Sequence, residues 1–129
     1  MDFEAALTME LKTISDVQNR VYPLNAPEKT ANPYIIYGSS EGQRTNTITD
    51  GYLLDKSVEG EINIIAAKYA VMKQVTRQVI DILISFNQRV IGSGGPYIDE
   101  MTYEKPVELY ESNVSLYRCV VDFKAYFKE

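Results

Sequence analysis

Two pairs of carboxylates are the residues in this chain best spaced to do chemistry: Glu59 with Glu61, and Asp99 with Glu100. Paired acids divide general-acid and general-base roles when their surroundings drive their pKa values apart. Both pairs lie in polar runs with nothing alongside to shift them, so no enzyme is expected. The chain has no histidine, which removes imidazole base catalysis, Ser-His triads and histidine metal ligands. Its single cysteine, Cys119, cannot form an internal disulfide or a cysteine-rich zinc site. That residue falls on the apolar parity of a strand pattern and reads as a small core residue rather than a nucleophile. Scattered acids without a binding-loop signature specify no metal, and no cofactor is expected. The glycine-rich stretch Ile91-Gly92-Ser93-Gly94-Gly95-Pro96 could present amides to an anion. It follows a helical pattern and lacks a Gly-Lys-Ser/Thr sequence, so it reads as a helix-to-strand connector.

Charge narrows the partners further. The 129 residues carry a formal charge of −5 and lack the clustered Lys and Arg that hold phosphates, so specific nucleic-acid binding is not expected. The negative excess is concentrated in Asp99, Glu100, Glu104, Glu108 and Glu111, a candidate acidic surface. There are ten tyrosines and no tryptophan. Most fit core-facing positions, while exposed ones such as Tyr52 or Tyr97 would suit a protein interface, where tyrosine is enriched. No run approaches the roughly 20 apolar residues of a membrane-spanning helix. The opening Met1-Asp2-Phe3-Glu4 has neither the basic nor the apolar part of a signal peptide. A soluble, cytoplasmic protein is expected, and the length suits a single domain over residues 1–129.

The elements that would position these residues follow from periodicity. Phe3, Leu7, Leu11 and Ile14 make one apolar stripe on a helix of about three turns, with Asp2 placed to cap it. Arg20-Val21-Tyr22-Pro23 is a short extended piece, and Pro33-Tyr34-Ile35-Ile36-Tyr37 a buried strand. Residues Tyr52 to Ile65 alternate as a long strand, with Gly60 suggesting a bulge or bend and Lys56 falling on the apolar parity. From Ala67 the period becomes helical through Tyr69, Met72, Val79 and Phe86. Tyr97 to Tyr103 alternates with Met101 and Tyr103 on one parity. The last strand, Val114 to Phe127, alternates clearly, one face dry and one wet, as antiparallel strands do. Between the second and third strand patterns, Gly38 to Gly51 contains one large apolar residue, Ile48. Its length exceeds an ordinary connection and marks a hairpin arm or loop that meets a partner, through Glu41, Arg44, Thr45, Asn46, Thr47 and Ile48.

In this order, three segments resemble the tail-completion proteins of long-tailed bacteriophages, the tail-terminator or head-to-tail joining family. The amphipathic first helix leads to Arg20-Val21-Tyr22-Pro23 and then Pro33-Tyr34-Ile35-Ile36-Tyr37; Ile62-Asn63-Ile64-Ile65-Ala66 runs straight into the second helix; and Leu116-Tyr117-Arg118-Cys119-Val120-Val121-Asp122-Phe123 closes the chain. The resemblance implies an α+β fold with a mixed, mainly antiparallel sheet, two helices packed against it and a long polar hairpin arm. It also implies a six-membered ring of identical copies that caps the tail tube and joins it to the head connector or stopper protein. DNA would pass through the ring, and the subunit would assemble in the host cytoplasm before joining the virion tail. The alternatives are another phage neck, adaptor or minor tail protein, or a stand-alone cytoplasmic binding module.

Overall fold

A computed structural model describes residues 1–49 and 51–128, leaving aside the side chains of Tyr52 and Leu53. The expected exposure of Tyr52, and Asp50 within the arm, therefore lie outside the description. The element order is α1 (Phe3–Leu11), β1 (Val21–Pro23), β2 (Tyr34–Ser39), β3 (Gln43–Thr47), β4 (Gly51–Ala66), α2 (Tyr69–Ser85), β5 (Arg89–Val90), β6 (Tyr97–Tyr103), β7 (Val107–Glu111) and β8 (Leu116–Lys128).

Two long strands carry the sheet. β4 and β8 pair antiparallel without interruption from Asp55 opposite Lys128 to Ala66 opposite Tyr117. On the free edge of β4, β2 pairs with residues 60–65 and β3 with residues 51–57, so β2 and β3 form one side of a long interrupted hairpin. On the free edge of β8, β6 and then β7 do the same. β1 adds to β2 in parallel, and β5 to β6 antiparallel, which makes the sheet mixed and mainly antiparallel as expected.

Alternation decides what goes inside. Val58, Ile62 and Ile64 of β4, Ile35 and Tyr37 of β2, and Cys119, Val121, Phe123, Ala125 and Phe127 of β8 share one face and are buried. Both helices cover that face. α2 buries Met72, Val75, Thr76, Val79 and Leu83 at helical spacing, and Phe86 follows just past its end. Its β-branched residues have modest helix propensity, so packing on the sheet holds it. α1 starts as expected, the Asp2 carboxylate accepting from the Ala5 amide at 2.8 Å. It ends at Leu11, short of Ile14, which is nevertheless buried through the turn that follows. Phe3 stacks on Phe127 at 5.3 Å between ring centroids, seating the helix start on the end of β8.

Three local expectations are corrected. Gly60 marks neither bulge nor bend, since both ladders run through it in register. Glycine is required there by close approach: a Cβ would lie 2.7 Å from the Phe123 ring and against the Gly38 carbonyl oxygen. The bulge lies in β6, between Ile98 and Glu100. It puts Ile98 and Met101, three apart, on the buried face and leaves Tyr103 exposed. Residues Ile91–Pro96 join two strands, β5 and β6, rather than a helix and a strand.

That glycine-rich loop is tied to α1 by one carboxylate. Glu10 accepts from both terminal nitrogens of Arg89, at 2.9 and 3.0 Å, and from the Gly92 amide at 2.9 Å. The Arg89 guanidinium holds the Glu10 carboxyl below its ordinary range, outweighing the effect of burial. A carboxyl with a lowered folded pKa contributes stability above its unfolded value of about 4.3, and loses it as pH falls through the folded value. Glu10→Gln is therefore expected to be less stable than wild type at neutral pH, with the gap narrowing below about pH 4. Urea unfolding across that range measures it; a gap of constant size would mean that charge plays no part. Gly60→Ala is expected to cost about 1–3 kcal/mol in the same assay, because the Cβ forces apart a packed ring and a strand backbone.

Candidate protein-interaction surfaces

The arm is a hairpin of two paired strands. β3 pairs Gln43 with Ser57 and Arg44 with Lys56, shifts register between Arg44 and Asn46, and continues with Asn46 opposite Tyr52. Residues 51–54 of β4 have run past the last residue of β8 that pairs with it, so the outer arm stands clear of the body on its β4 side. Glu41, Arg44, Thr45, Asn46 and Ile48 are exposed and Thr47 is half-buried. Leu54, expected among the core-parity residues, is 58% exposed for the same reason, and Ile48 at the tip is fully exposed. Gly42 lets the chain cross from β2 into the arm: its φ is +86°, and a Cβ would meet the Ser57 carbonyl at 2.6 Å.

The expected acidic surface does not act as one unit. Glu108 is bound by Lys73 of α2 at 3.0 Å, and Glu111 pairs with Arg118 of β8. Glu108 in turn holds the Lys73 ammonium above its ordinary range. Asp99, Glu100 and Glu104 remain exposed. The register brings other acids to the uncovered face of the sheet, where Glu61 lies directly opposite Asp122 and Glu59 opposite Lys124. Lys124 reaches Glu59 at 3.5 Å. Strand parity held the signal for this grouping, since Glu59, Glu61 and Asp122 all fall on wet positions. The pairing of β4 with β8, which joins them, is a tertiary fact.

The rest of that uncovered face is more apolar. Ile36, Asn63, Val120 and Val107 form one row across β2, β4, β8 and β7, and Tyr34, Ile65, Arg118 and Leu109 the next. Arg118 lies over this region, donating to the Asn63 side-chain oxygen at 3.0 Å. Val107 and Leu109 are 54% and 48% exposed. Tyrosines also gather at the surface, against the expectation of mostly core-facing ones: among the described side chains only Tyr37 is buried. Tyr110 and Tyr69 flank Tyr117, with centroids 4.8 and 5.6 Å away, beside the Lys73–Glu108 pair. Tyr97 is exposed as expected.

Nothing described here resembles a reaction centre. Cys119 is buried, and burial pushes its thiol up, away from the reactive thiolate. Among the described residues no group of three or more Cys, Asp or Glu could hold a metal, and no helix is long and apolar enough to cross a membrane. A cleft of about 620 Å³ opens at the foot of the arm, floored by Phe3, Val58 and Phe127 and rimmed by charges of both signs.

Comparison with known proteins places this surface in context. A family model described as tail completion protein gp17 matches residues 5–128. A solved chain from the virion of a native gene transfer agent particle shares the fold at a TM-score of 0.75 and 18% identity. The match covers 98% of this chain and 95% of that one. A second solved chain matches at a TM-score of 0.57 and 14% identity, over 98% and 90% of the two chains. No curated protein matches.

The arm can be removed cleanly because it leaves the core. Replacing residues 45–55 with Asn-Gly joins Arg44 to Lys56 through a two-residue hairpin turn. Unfolding stability is expected to stay within about 1 kcal/mol of wild type, since the excised residues bury little and a shorter loop costs less to close. Loss of cooperative unfolding would make the arm a part of the fold.

Proposed function

The chain belongs to the tail completion protein gp17 family, and on that premise we propose that it caps the phage tail tube as a six-membered ring and joins it to the head connector or stopper protein. Membership makes it a structural protein of the phage tail, with no catalytic part to assign. The observation that carries the finer reading is the match over residues 5–128, nearly the whole chain. The arm supports it, as a polar hairpin that stands clear of the core is suited to contact a neighbouring subunit or the tube. So does the surface supply of tyrosine, and an interface of this kind uses such residues as anchors. The solved chain from a gene transfer agent virion has the same fold in a particle of that kind, which favours assembly with other tail components. In this reading the subunit assembles in the host cytoplasm and ends in the virion tail. The exposed acids Asp99, Glu100 and Glu104 fit a structure that lets DNA pass without binding it.

Native mass measured over a range of concentrations, with negative-stain images of the same samples, tests the ring. Rings of six are expected, either free or at the ends of added tail tubes, and the arm-deleted variant should form them less readily. A wild-type protein that remains monomeric and leaves tube ends bare would overturn the reading.

A further inference from the structure

We propose that the arm of one copy lies across the uncovered sheet face of the next, with Arg44 and Lys56 meeting Glu61 and Asp122. This rests on the ring reading and names the contact within it.

The two ends of the contact are like-charge pairs of opposite sign. Arg44 and Lys56 sit directly opposite one another across the arm ladder. Glu61 and Asp122 sit directly opposite one another across the central ladder. Like charges facing across an antiparallel pair are unfavourable, and both pairs are relieved when one is laid on the other.

The apolar residues follow the charges in the same order on both surfaces. On the arm, Leu54 lies two residues from Lys56 on the same strand face, and Ile48 is at the tip beyond it; both are strongly exposed. On the sheet, Val120 lies two residues from Asp122 on the same face, followed by exposed Val107 and Leu109 on the neighbouring strand. An arm placed with its cations over Glu61 and Asp122 brings Leu54 and Ile48 toward Val120, Val107 and Leu109.

The contact cannot close within one molecule. Lys56 shares the parity of Val58 and Ile62, on the face the helices cover, whereas Glu61 points from the opposite face of the same strand. The sheet itself stands between them. The partner is therefore another copy, and a contact between two different patches is head-to-tail, the kind that generates rings when its rotation closes.

Charge reversal tests this on the full-length protein, with assembly followed by native mass and by capping of purified tail tubes. Glu61→Lys with Asp122→Lys, and separately Arg44→Glu with Lys56→Glu, should each raise the concentration needed for assembly at least about tenfold. All four changes together should recover wild-type behaviour to within about threefold, because the pairs exchange sign. The neutral pair Arg44→Gln with Lys56→Gln should give a smaller loss, and thermal melts establish that each variant is folded. Assembly untouched by the reversals, or not recovered by the combination, overturns the contact while leaving the ring in place. Free rings that persist when the arm reversal abolishes tube capping would assign the arm to the tube protein instead, also overturning it. A wild type that never self-associates defeats the ring reading, and this contact with it.

Discussion

The uninterrupted ladder between β4 and β8 is the constraint on which the rest of the structure depends. Every other strand except β1 and β5 is hydrogen-bonded to one of these two, and both helices pack on the face they share. Because side chains alternate, the register of this one ladder settles which residues are dry, which are wet and which acids become neighbours. A slip of one residue would send Ile62, Val121 and Phe123 to water together. Gly60 shows how tightly the register is held, with the Phe123 ring packed where a side chain would begin.

Much of this was legible in the sequence where a residue's environment depends on its own neighbours along the chain. The cap at Asp2, the helical spacing from Met72 to Phe86 and the alternation of β8 are local patterns, and the structure follows them. The arm announced itself by what it lacks, one large apolar residue in fourteen. What was not legible depends on pairing. The bulge before Glu100 shifts parity by one, and nothing in the local sequence marks it. Leu54 looks like a core residue until β8 is seen to end before reaching it. Glu108 and Glu111 look like free surface charge until Lys73 and Arg118 arrive from distant segments. The grouping of Glu61 with Asp122 is likewise a product of the ladder, at a separation of 61 residues that no periodicity spans.

The two faces of the sheet are unequal in what they ask of the solvent. One is closed by α1 and α2 and is fully apolar at its centre. The other has no helix over it among the described residues, and mixes acids with partly exposed Val107 and Leu109. A small domain ordinarily covers such residues or spaces them apart. Here they sit on the edge strand β7, whose two acids are engaged by Lys73 and Arg118 and so guard that edge only weakly.

The opposite directions of β4 and β8 also decide where the two hairpin tips point. The β3–β4 turn lies beyond the end of β8, and the β7–β8 turn at residues 112–115 lies at the other end of the sheet. The subunit thus has a top and a bottom, each made of different residues: a polar finger at one, a short acid-to-serine turn at the other. Copies set side by side in a circle with a common orientation would inherit that distinction as two unlike rims. A disc with unlike rims does not stack on itself by repeating the contact that seats it on something else, and growth along the axis stops after one layer.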